Sequence, residues 1–250
     1  NRNRADLVRA LLRAHPEAAA VPLPASDGGA LSPEIEKTYR REDGSLLWVC
    51  EAVSVVRKRQ GHPAFLVLVA QDVTERKRLE ARLSHEAQHD ALTGLANRVR
   101  FRQRLDQALD AVRDQEQLCA VLYIDLDGFK AINDRHGHTA GDCLLQMAAR
   151  RLEGCVRSSD MVARFGGDEF GILLASLHSR QDCAAVALKV LDVLAQPFDL
   201  DGHPARISAS VGAALYPLQA DNGADLLKQA DQAMYVAKHA GKNRFHCAPE

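Results

Sequence analysis

Hydrophobic and polar residues follow one another along the chain in blocks that predict alternating helices and strands. In the C-terminal two thirds, stretches with helical periodicity alternate with short apolar runs bounded by glycine and polar residues, a pattern typical of strands. The predicted elements are a helix at 99–114, a strand ending at Asp125, a short and a longer helix, a hairpin at 160–175, a helix at 184–194, a strand at 207–216, a last helix and a closing strand at 243–247. This order predicts an α+β sheet covered by helices.

The first 73 residues have a different pattern. A short helical pattern at 5–14 is followed by a stretch rich in proline and glycine. Three apolar runs come next and predict strands joined by hairpin turns, at 34–41, 46–57 and 64–73.

Residues 74–88 are charged and carry apolar residues, beginning with Leu79, at intervals of four. This pattern predicts a helix with Asp72 or Thr74 as its N-cap. Such a helix could form a short parallel coiled coil, or it could lie as one amphipathic helix on its own domain. The stretch is too short for its periodicity to decide.

The composition is that of an ordinary globular protein. The chain has 250 residues, 46% hydrophobic and 26% charged, which is enough for one or two domains with their own cores. Its net charge of −1 gives no general reason to expect nucleic acid as a partner. The longest apolar run, at 64–70, is far shorter than the roughly 20 residues of a membrane-spanning helix. No membrane segment is therefore predicted within this chain.

The cysteines indicate the compartment. There are six, scattered and never in a Cys-x-x-Cys pair, which predicts reduced thiols and a cytoplasmic protein. The chain begins with Asn1 rather than methionine. We therefore expect a piece of a longer protein, whose preceding part could include a membrane anchor.

Two acidic elements are the strongest chemical signal. Asp168 and Glu169 are adjacent on a glycine turn between two apolar runs, and this pair alone would most simply be a solvated acidic turn. Asp125, however, ends a buried strand and is followed by Gly128 at the start of a helix, where N–H groups can bind phosphate. Together the two elements predict a site for a divalent metal and a nucleotide.

Five motifs follow one another along residues 89–247. They are Asp90-Ala91-Leu92-Thr93-Gly94-Leu95-Ala96-Asn97-Arg98, Asp125-Leu126-Asp127-Gly128-Phe129-Lys130-Ala131-Ile132-Asn133-Asp134, Gly137-His138-Thr139-Ala140-Gly141-Asp142, Arg164-Phe165-Gly166-Gly167-Asp168-Glu169-Phe170, and Tyr235-Val236-Ala237-Lys238-His239-Ala240-Gly241-Lys242-Asn243-Arg244. In this order and spacing they resemble the GGDEF domain, the diguanylate cyclase module. The resemblance implies a ferredoxin-like βαββαβ core, similar to polymerase palms and nucleotidyl cyclases.

The resemblance also implies an activity, the condensation of two GTP molecules into cyclic di-GMP with release of pyrophosphate. A homodimer is implied as well, because two GTP-loaded sites must face each other. Asp168 and Glu169 would be the catalytic residues. The metal, Mg²⁺ or Mn²⁺ as a substitute, would be held by Asp125, Asp168 and Glu169 with the carbonyl of Leu126.

The GTP-binding residues implied by the resemblance contact phosphates or guanine. They are Gly128, Phe129 and Lys130 in a phosphate loop, Asn133 and Asp142 at guanine, and Lys238 and Lys242 at the triphosphate. A carboxylate suits guanine because the N1–H and N2–H₂ groups of that base are donors. The alternative for Asp142 is a helix N-cap, and the alternative for the two lysines is a solvated helix face.

Arg157-Ser158-Ser159-Asp160 precedes the predicted hairpin. In this register, the resemblance implies that Arg157 and Asp160 form an inhibitory site for the product, cyclic di-GMP. The alternative is a surface ion pair at a helix end, which would contribute little.

Residues 39–49 and the exit segment 71–77 resemble the C-terminal half of a PAS sensor domain. The organisation implied is a partial PAS-like sensor segment at 1–73, a helical linker at 74–88 and a GGDEF domain at 89–250. The usual first strands and helices of a PAS domain are missing, so a ligand-free packing or dimerisation module is the alternative for the first segment.

Two other functions remain open from the sequence. One is a non-catalytic module that binds GTP or cyclic di-GMP and signals to a partner through the PAS-like segment. The other is a palm-type polymerase or another cyclase, which the lack of a basic surface and of template-binding segments disfavours.

Overall fold

The computed structural model describes residues 34–41, 43–57, 63–113 and 117–249. The chain divides into two compact units, residues 1–84 and 85–250. The helix expected at 5–14 lies outside the described residues. The three-part organisation with boundaries at residues 73 and 88 stays a prediction.

The N-terminal unit contains the expected antiparallel sheet, followed by a helix. The elements are β1 (Ile35–Arg40), β2 (Leu46–Arg57), β3 (Pro63–Asp72) and α1 (Thr74–Glu86), with sheet order β1-β2-β3. Asp72 Oδ1 accepts the N–H of Thr74 at 2.9 Å, and Thr74 Oγ1 accepts the N–H of Trp48 at 2.9 Å. These two bonds fix the start of α1 on the sheet. The likeness of this unit to a PAS domain stays a prediction.

The C-terminal unit alternates helices and strands. Its elements are α2 (Arg98–Val112), β4 (Leu118–Asp127), α3 (Phe129–His136), α4 (His138–Glu153), β5 (Met161–Gly166), β6 (Glu169–Leu177), α5 (Arg180–Ala195), β7 (Phe198–Leu200), β8 (His203–Ala205), β9 (Ser208–Tyr216), α6 (Gly223–His239) and β10 (Arg244–Cys247). The five-stranded sheet has the order β10-β9-β4-β6-β5, with β10 parallel to β9 and the other neighbours antiparallel. The strands β4, β5, β6 and β9 with their connecting helices therefore form the expected ferredoxin-like βαββαβ core.

The central strand β4 separates two hydrophobic cores, because its successive side chains point to opposite faces of the sheet. The residues at even positions, from Ala120 to Leu126, pack in a cluster with α4 and α5. Cys119, Val121 and Tyr123 pack in a second cluster with α2 and α6. Beyond Tyr123, the same odd-numbered face carries acidic residues in place of apolar ones.

Strand β4 extends two residues past the predicted end at Asp125. Its pairing with β6 stops at Asp125, but its pairing with β9 continues to Asp127, which lies opposite Ser208. A second partner strand therefore keeps the chain extended where the apolar run has already ended.

The short hairpin of β7 and β8 was not predicted. Arg151 fixes the turn before it, since the guanidinium donates to the carbonyls of Val193, Gln196 and Pro197 and lies 3.7 Å from the ring of Phe198. Strands of three residues carry too little periodicity to be recognised, and their anchor lies more than forty residues earlier in the chain.

Helix α6 packs directly on β9 at Gly212. A Cβ at this position would lie 2.0 Å from the backbone nitrogen of Met234 and 2.2 Å from the carbonyl oxygen of Ala230. We expect Gly212→Ala to lower the free energy of unfolding by about 3 kcal/mol or more, because a rigid helix backbone has to move. Urea denaturation measures the loss.

The matched control is Gly154→Ala. Gly154 has helical backbone angles and only ordinary contact distances around an added Cβ. Alanine there should be neutral or should stabilise by about 0.5 kcal/mol, because it restricts the unfolded chain. Equal effects of the two substitutions would contradict the close approach of α6 to β9.

Candidate active site

The tip between β5 and β6 depends on two glycines. Gly166 and Gly167 have φ angles of 139° and 51°, in the region that residues with a Cβ rarely adopt. Arg164 stabilises the tip, because its Nε and Nη2 donate to the carbonyl of Gly167 at 3.0 and 2.7 Å. The same guanidinium donates to both carboxylate oxygens of Asp90 at 3.0 Å. The tip is thus a fixed turn, as the sequence predicted.

The two acidic elements meet at one end of the sheet, where β4 ends and β6 begins. The N–H of Leu126 donates to the carbonyl of Asp168 at 3.2 Å, and Asp125 lies directly opposite Glu169 in the pairing of β4 with β6. Residues directly opposite one another on antiparallel strands project to the same face. The structure therefore brings Asp125, Asp168 and Glu169 together.

Asp125 is buried, with 6% of its surface exposed. Its Oδ2 lies 2.6 Å from Nζ of Lys238, near the end of α6. Burial raises the pKa of Asp125, and the charge of Asp168 raises it further, against the lowering effect of Lys238. The carboxylate is thus destabilised by its surroundings and is stabilised in part by a lysine cation.

These residues fit a metal ion that a nucleotide brings with it. The described part of the chain has no cluster of three or more His, Cys, Asp and Glu side chains placed to hold a metal by themselves. Mg²⁺ in nucleotide sites is commonly held by one or two carboxylates and by substrate phosphates. Asp125 and Asp168 offer oxygen ligands of this kind. Burial and, to a smaller extent, the charge of Asp168 raise the pKa of Asp125, and a nearby cation would offset both effects.

Glu169 is held by a residue that the sequence reasoning missed. Its Oε2 accepts a hydrogen bond from the hydroxyl of Tyr123 at 2.8 Å, and that hydroxyl accepts one from Nη2 of Arg98 at 2.8 Å. Burial raises the pKa of Tyr123, and the hydrogen bond to Glu169 raises it further, so the hydroxyl stays protonated as a donor. The signal available in the sequence was the position of Tyr123 two residues before Asp125, on the same face of β4.

Asp127, also missed, joins β4 to the segment after α6. Its carboxylate accepts the hydroxyl hydrogens of Ser208 and Ser210 at 2.8 Å and the N–H of Asn243 at 3.2 Å. Lys242 and Asn243 have positive φ angles of 59° and 45°, so this turn needs such support. Lys238 and Lys242 therefore lie on a segment that is attached to the acidic end of β4.

The predicted phosphate loop is a left-handed turn followed by a helix. Gly128 has a φ angle of 83°, and α3 begins with Phe129. The first N–H groups of a helix have no partner within it. Lys130, in the first turn, is exposed. Backbone donors from Phe129 and Lys130 are thus available where the sequence placed them.

The predicted guanine-binding residues lie on two successive helices, Asn133 on α3 and Asp142 on α4. Asn133 Oδ1 is buried and has no hydrogen-bond partner among the described residues. It lies against Gly141, where an added Cβ would come within 1.9 Å of it. Such an acceptor without a donor is costly, and a ligand with N–H groups would satisfy it. Asp142 is exposed next to Gly141; since α4 begins at His138 with Gly137 as the N-cap residue, the N-cap alternative for Asp142 is wrong.

Arg157 and Asp160 lie in the turn between α4 and β5. The carboxylate of Asp160 accepts the N–H groups of Arg157 at 3.1 Å and of Ala175 at 3.3 Å. The Arg157 guanidinium is exposed and has no ion-pair partner among the described residues, so the surface ion pair is not formed. Both residues border a depression of about 210 Å³ that also includes His178 and Asp182.

The C-terminal unit has a ferredoxin-like sheet with carboxylates at the ends of two neighbouring strands. It therefore belongs to the class of nucleotidyl cyclase-like folds. Residues 87–244 match the family described as diguanylate cyclase, GGDEF domain. The match covers more than half of the chain, and the chain therefore belongs to this family.

Relatives and solved structures agree with this assignment. The chain is 50% identical over 164 residues to diguanylate cyclase TpbB of Pseudomonas aeruginosa, an alignment covering 65% of this chain and 38% of TpbB. The chain thus spans about two fifths of that relative. A structure comprising only the GGDEF domain of TpbB has a TM-score of 0.63 and 46% identity, covering 64% of this chain and 94% of that one. The coiled coil and GGDEF domain of DgcB from Caulobacter crescentus, in complex with c-di-GMP, has a TM-score of 0.63 and 26% identity, covering 70% and 95%.

Within the described residues, none of the helices combines the length and the apolar character needed to cross a membrane.

The raised pKa of Asp125 leads to a prediction about stability. Asparagine keeps an acceptor for Lys238 and removes the cost of ionisation, so Asp125→Asn should raise the unfolding midpoint near pH 7. Because the folded-state pKa is raised, the wild type loses stability as pH rises from the ordinary carboxyl pKa of about 4 through the folded-state pKa. The advantage of the variant should therefore vanish below about pH 4. Thermal unfolding over this pH range, without nucleotide or metal, measures it.

Asp192→Asn is the matched control, because Asp192 is exposed on α5, on the other face of the sheet. It should leave the midpoint unchanged across the range. A lower midpoint for Asp125→Asn at pH 7 would show that the ion pair with Lys238 outweighs the cost of burial.

Proposed function

We propose that this chain is a diguanylate cyclase, which condenses two GTP molecules into cyclic di-GMP and releases two pyrophosphates. The proposal rests mainly on one observation. Asp125, Asp168 and Glu169 lie together where β4 ends and β6 begins, beside Lys238. Membership of the GGDEF family supports it, as does the relative TpbB, itself named a diguanylate cyclase.

Asn133 and Asp142 would select guanine. The buried oxygen of Asn133 lacks a donor, and guanine presents N–H groups at N1 and N2 that it and the carboxylate of Asp142 can accept. Adenine has a lone pair at N1, which would face these acceptors and leave them unpaired. Discrimination against ATP should therefore be strong.

Lys238 would change its partner when the nucleotide binds. Its ammonium pairs with Asp125, and its side chain is about one third exposed. A triphosphate carries more negative charge than one carboxylate, so the lysine would turn to the phosphates and free Asp125. Lys242, in the turn that follows α6, and the N–H groups of the Gly128–Lys130 turn would hold the remaining phosphate oxygens.

Asp125 and Asp168 would hold Mg²⁺, or Mn²⁺ in its place, with the carbonyl of Leu126. Once bound, such an ion neutralises phosphate charge and lowers the pKa of the attacking 3′-hydroxyl. Glu169 lies directly opposite Asp125 and would accept the hydroxyl proton or complete a second ion site.

The product joins two nucleotides, so we propose that two copies of the chain face each other as a homodimer in the cytoplasm. Helix α1 precedes the catalytic unit, is charged and exposes Leu79, which suits a contact between copies. The PAS-like sheet before it would regulate assembly. Arg157 and Asp160 would bind the product as an inhibitor, and the DgcB structure in complex with c-di-GMP supports binding of this ligand by the family.

Loss of a metal carboxylate should abolish turnover. Purified chain incubated with GTP and Mg²⁺ should form cyclic di-GMP, and Asp168→Ala should reduce the rate by more than about 100-fold. Residues that only orient metal ligands already contribute 10- to 100-fold, so a direct ligand should contribute more. Chromatographic assay of cyclic di-GMP measures the rate, and circular dichroism checks that the variant is folded.

Asp192→Ala removes an exposed acid on α5 and should keep wild-type activity. An active Asp168→Ala variant would refute the metal role. If folded, dimeric wild type binds GTP but forms no product, the chain is a binding module and the proposed function fails.

Removal of the exposed guanidinium at the turn before β5 should relieve product inhibition. Arg157→Ala should raise the cyclic di-GMP concentration for half inhibition by about tenfold, because charge-assisted bonds contribute about 1.5–3 kcal/mol. The initial rate should not change, since Arg157 lies away from Asp125, Asp168 and Glu169. Progress curves with added cyclic di-GMP measure both quantities. The control is Arg150→Ala, which removes another exposed arginine, on α4, and should leave inhibition unchanged. If Arg157→Ala also leaves inhibition unchanged, Arg157 is only a surface charge.

A further inference from the structure

Three residues at odd positions near the end of β4 each bind a different part of the site. Tyr123 donates to Glu169, Asp125 pairs with Lys238, and Asp127 accepts from Ser208, Ser210 and Asn243. The proposed function uses Asp125, and the fold accounts for Asp127. Tyr123 has no role in either account.

The hydroxyl is the part of Tyr123 that needs an explanation. Only 5% of the residue is exposed, and its ring packs against Phe165 with centroids 5.1 Å apart. A phenylalanine would fill the same space, so packing does not require the hydroxyl. A buried hydroxyl, by contrast, carries a desolvation cost unless it is bonded.

The hydrogen bonds around this hydroxyl have one direction. Arginine can only donate, so Arg98 Nη2 donates to the Tyr123 oxygen and the hydroxyl hydrogen points to Glu169 Oε2. Arg98 is itself fixed over the ring of Phe165 at 4.9 Å, and its Nη2 lies 3.8 Å from Oε2 of Glu169. These contacts hold Oε2 of the Glu169 carboxylate and leave Oε1 for the nucleotide.

We propose that Tyr123 is a positioning residue, whose hydroxyl, backed by Arg98, orients the carboxylate of Glu169 for the reaction. This inference rests on the proposed function, in which Glu169 acts at the attacking hydroxyl. A carboxylate that rotates freely would spend less time in the productive orientation, and small misplacements of catalytic groups are costly.

A conservative variant isolates this role. Tyr123→Phe removes the hydroxyl and leaves the ring, and the position borders an open depression of about 200 Å³ between α2 and α6 that water can reach. The fold should therefore tolerate the change. Tyr216→Phe is the matched control, because Tyr216 is a second buried tyrosine in the same core, on β9.

We expect Tyr123→Phe to lower kcat for cyclic di-GMP formation by about 10-fold or more, as supporting residues of catalytic groups do. The KM for GTP and the unfolding midpoint should stay at their wild-type values, and Tyr216→Phe should change none of the three. An unchanged kcat would overturn the proposal. A fall in the unfolding midpoint together with a rise in KM would also overturn it, because that pattern indicates a packing role.

A second measurement does not depend on turnover. In NMR spectra of chain with isotope-labelled glutamate carboxyl carbons, the Glu169 signal is identified by its disappearance in Glu169→Gln. Tyr123→Phe should shift or broaden this signal, and Tyr216→Phe should leave it in place. If the wild type forms no product, the proposed function is wrong, but the NMR experiment still tests the inference. An unchanged Glu169 signal in Tyr123→Phe would overturn the positioning role of Tyr123.

Discussion

The antiparallel pairing of β4 with β6 is the constraint on which the site depends. It places Asp125 directly opposite Glu169 and brings the backbone of Leu126 to that of Asp168. A shift of the register by one residue would turn the acids toward the opposite core. The apolar residues at the even positions of β4 prevent such a shift, because they fill the core beneath α4 and α5.

Carboxylates that lie close together at one end of a sheet repel one another, and Asp125, Asp127 and Glu169 are each stabilised by different partners. Asp127 has permanent partners, two hydroxyls and one backbone N–H, and it serves the fold. Asp125 has the ammonium of Lys238, whose side chain is about one third exposed, so this partner can turn to a ligand. Glu169 has one oxygen held by Tyr123. The difference in partners separates a structural acid from those available for chemistry.

Most of the fold could be predicted from local sequence. The hairpin tip at Gly166 and Gly167, the turn at Gly128 and, apart from the β7–β8 hairpin, the order of strands and helices are found as predicted. Each depends on nearby glycines or on a local hydrophobic period. The N-cap alternative for Asp142 was wrong because α4 begins four residues earlier, at His138. The end of β4 was misplaced because β9, more than eighty residues later, keeps Asp127 in the sheet.

The sequence alone thus determined the family, the ferredoxin-like core and the acids that converge on β4, since these are carried by motifs whose residues are neighbours in the chain. Tertiary structure alone decided what each acid binds: Lys238 for Asp125, Tyr123 for Glu169, and the serines of β9 for Asp127. Those partners lie 46 to 113 residues away along the chain. Such pairings are set by strand register and helix packing, which no local pattern encodes.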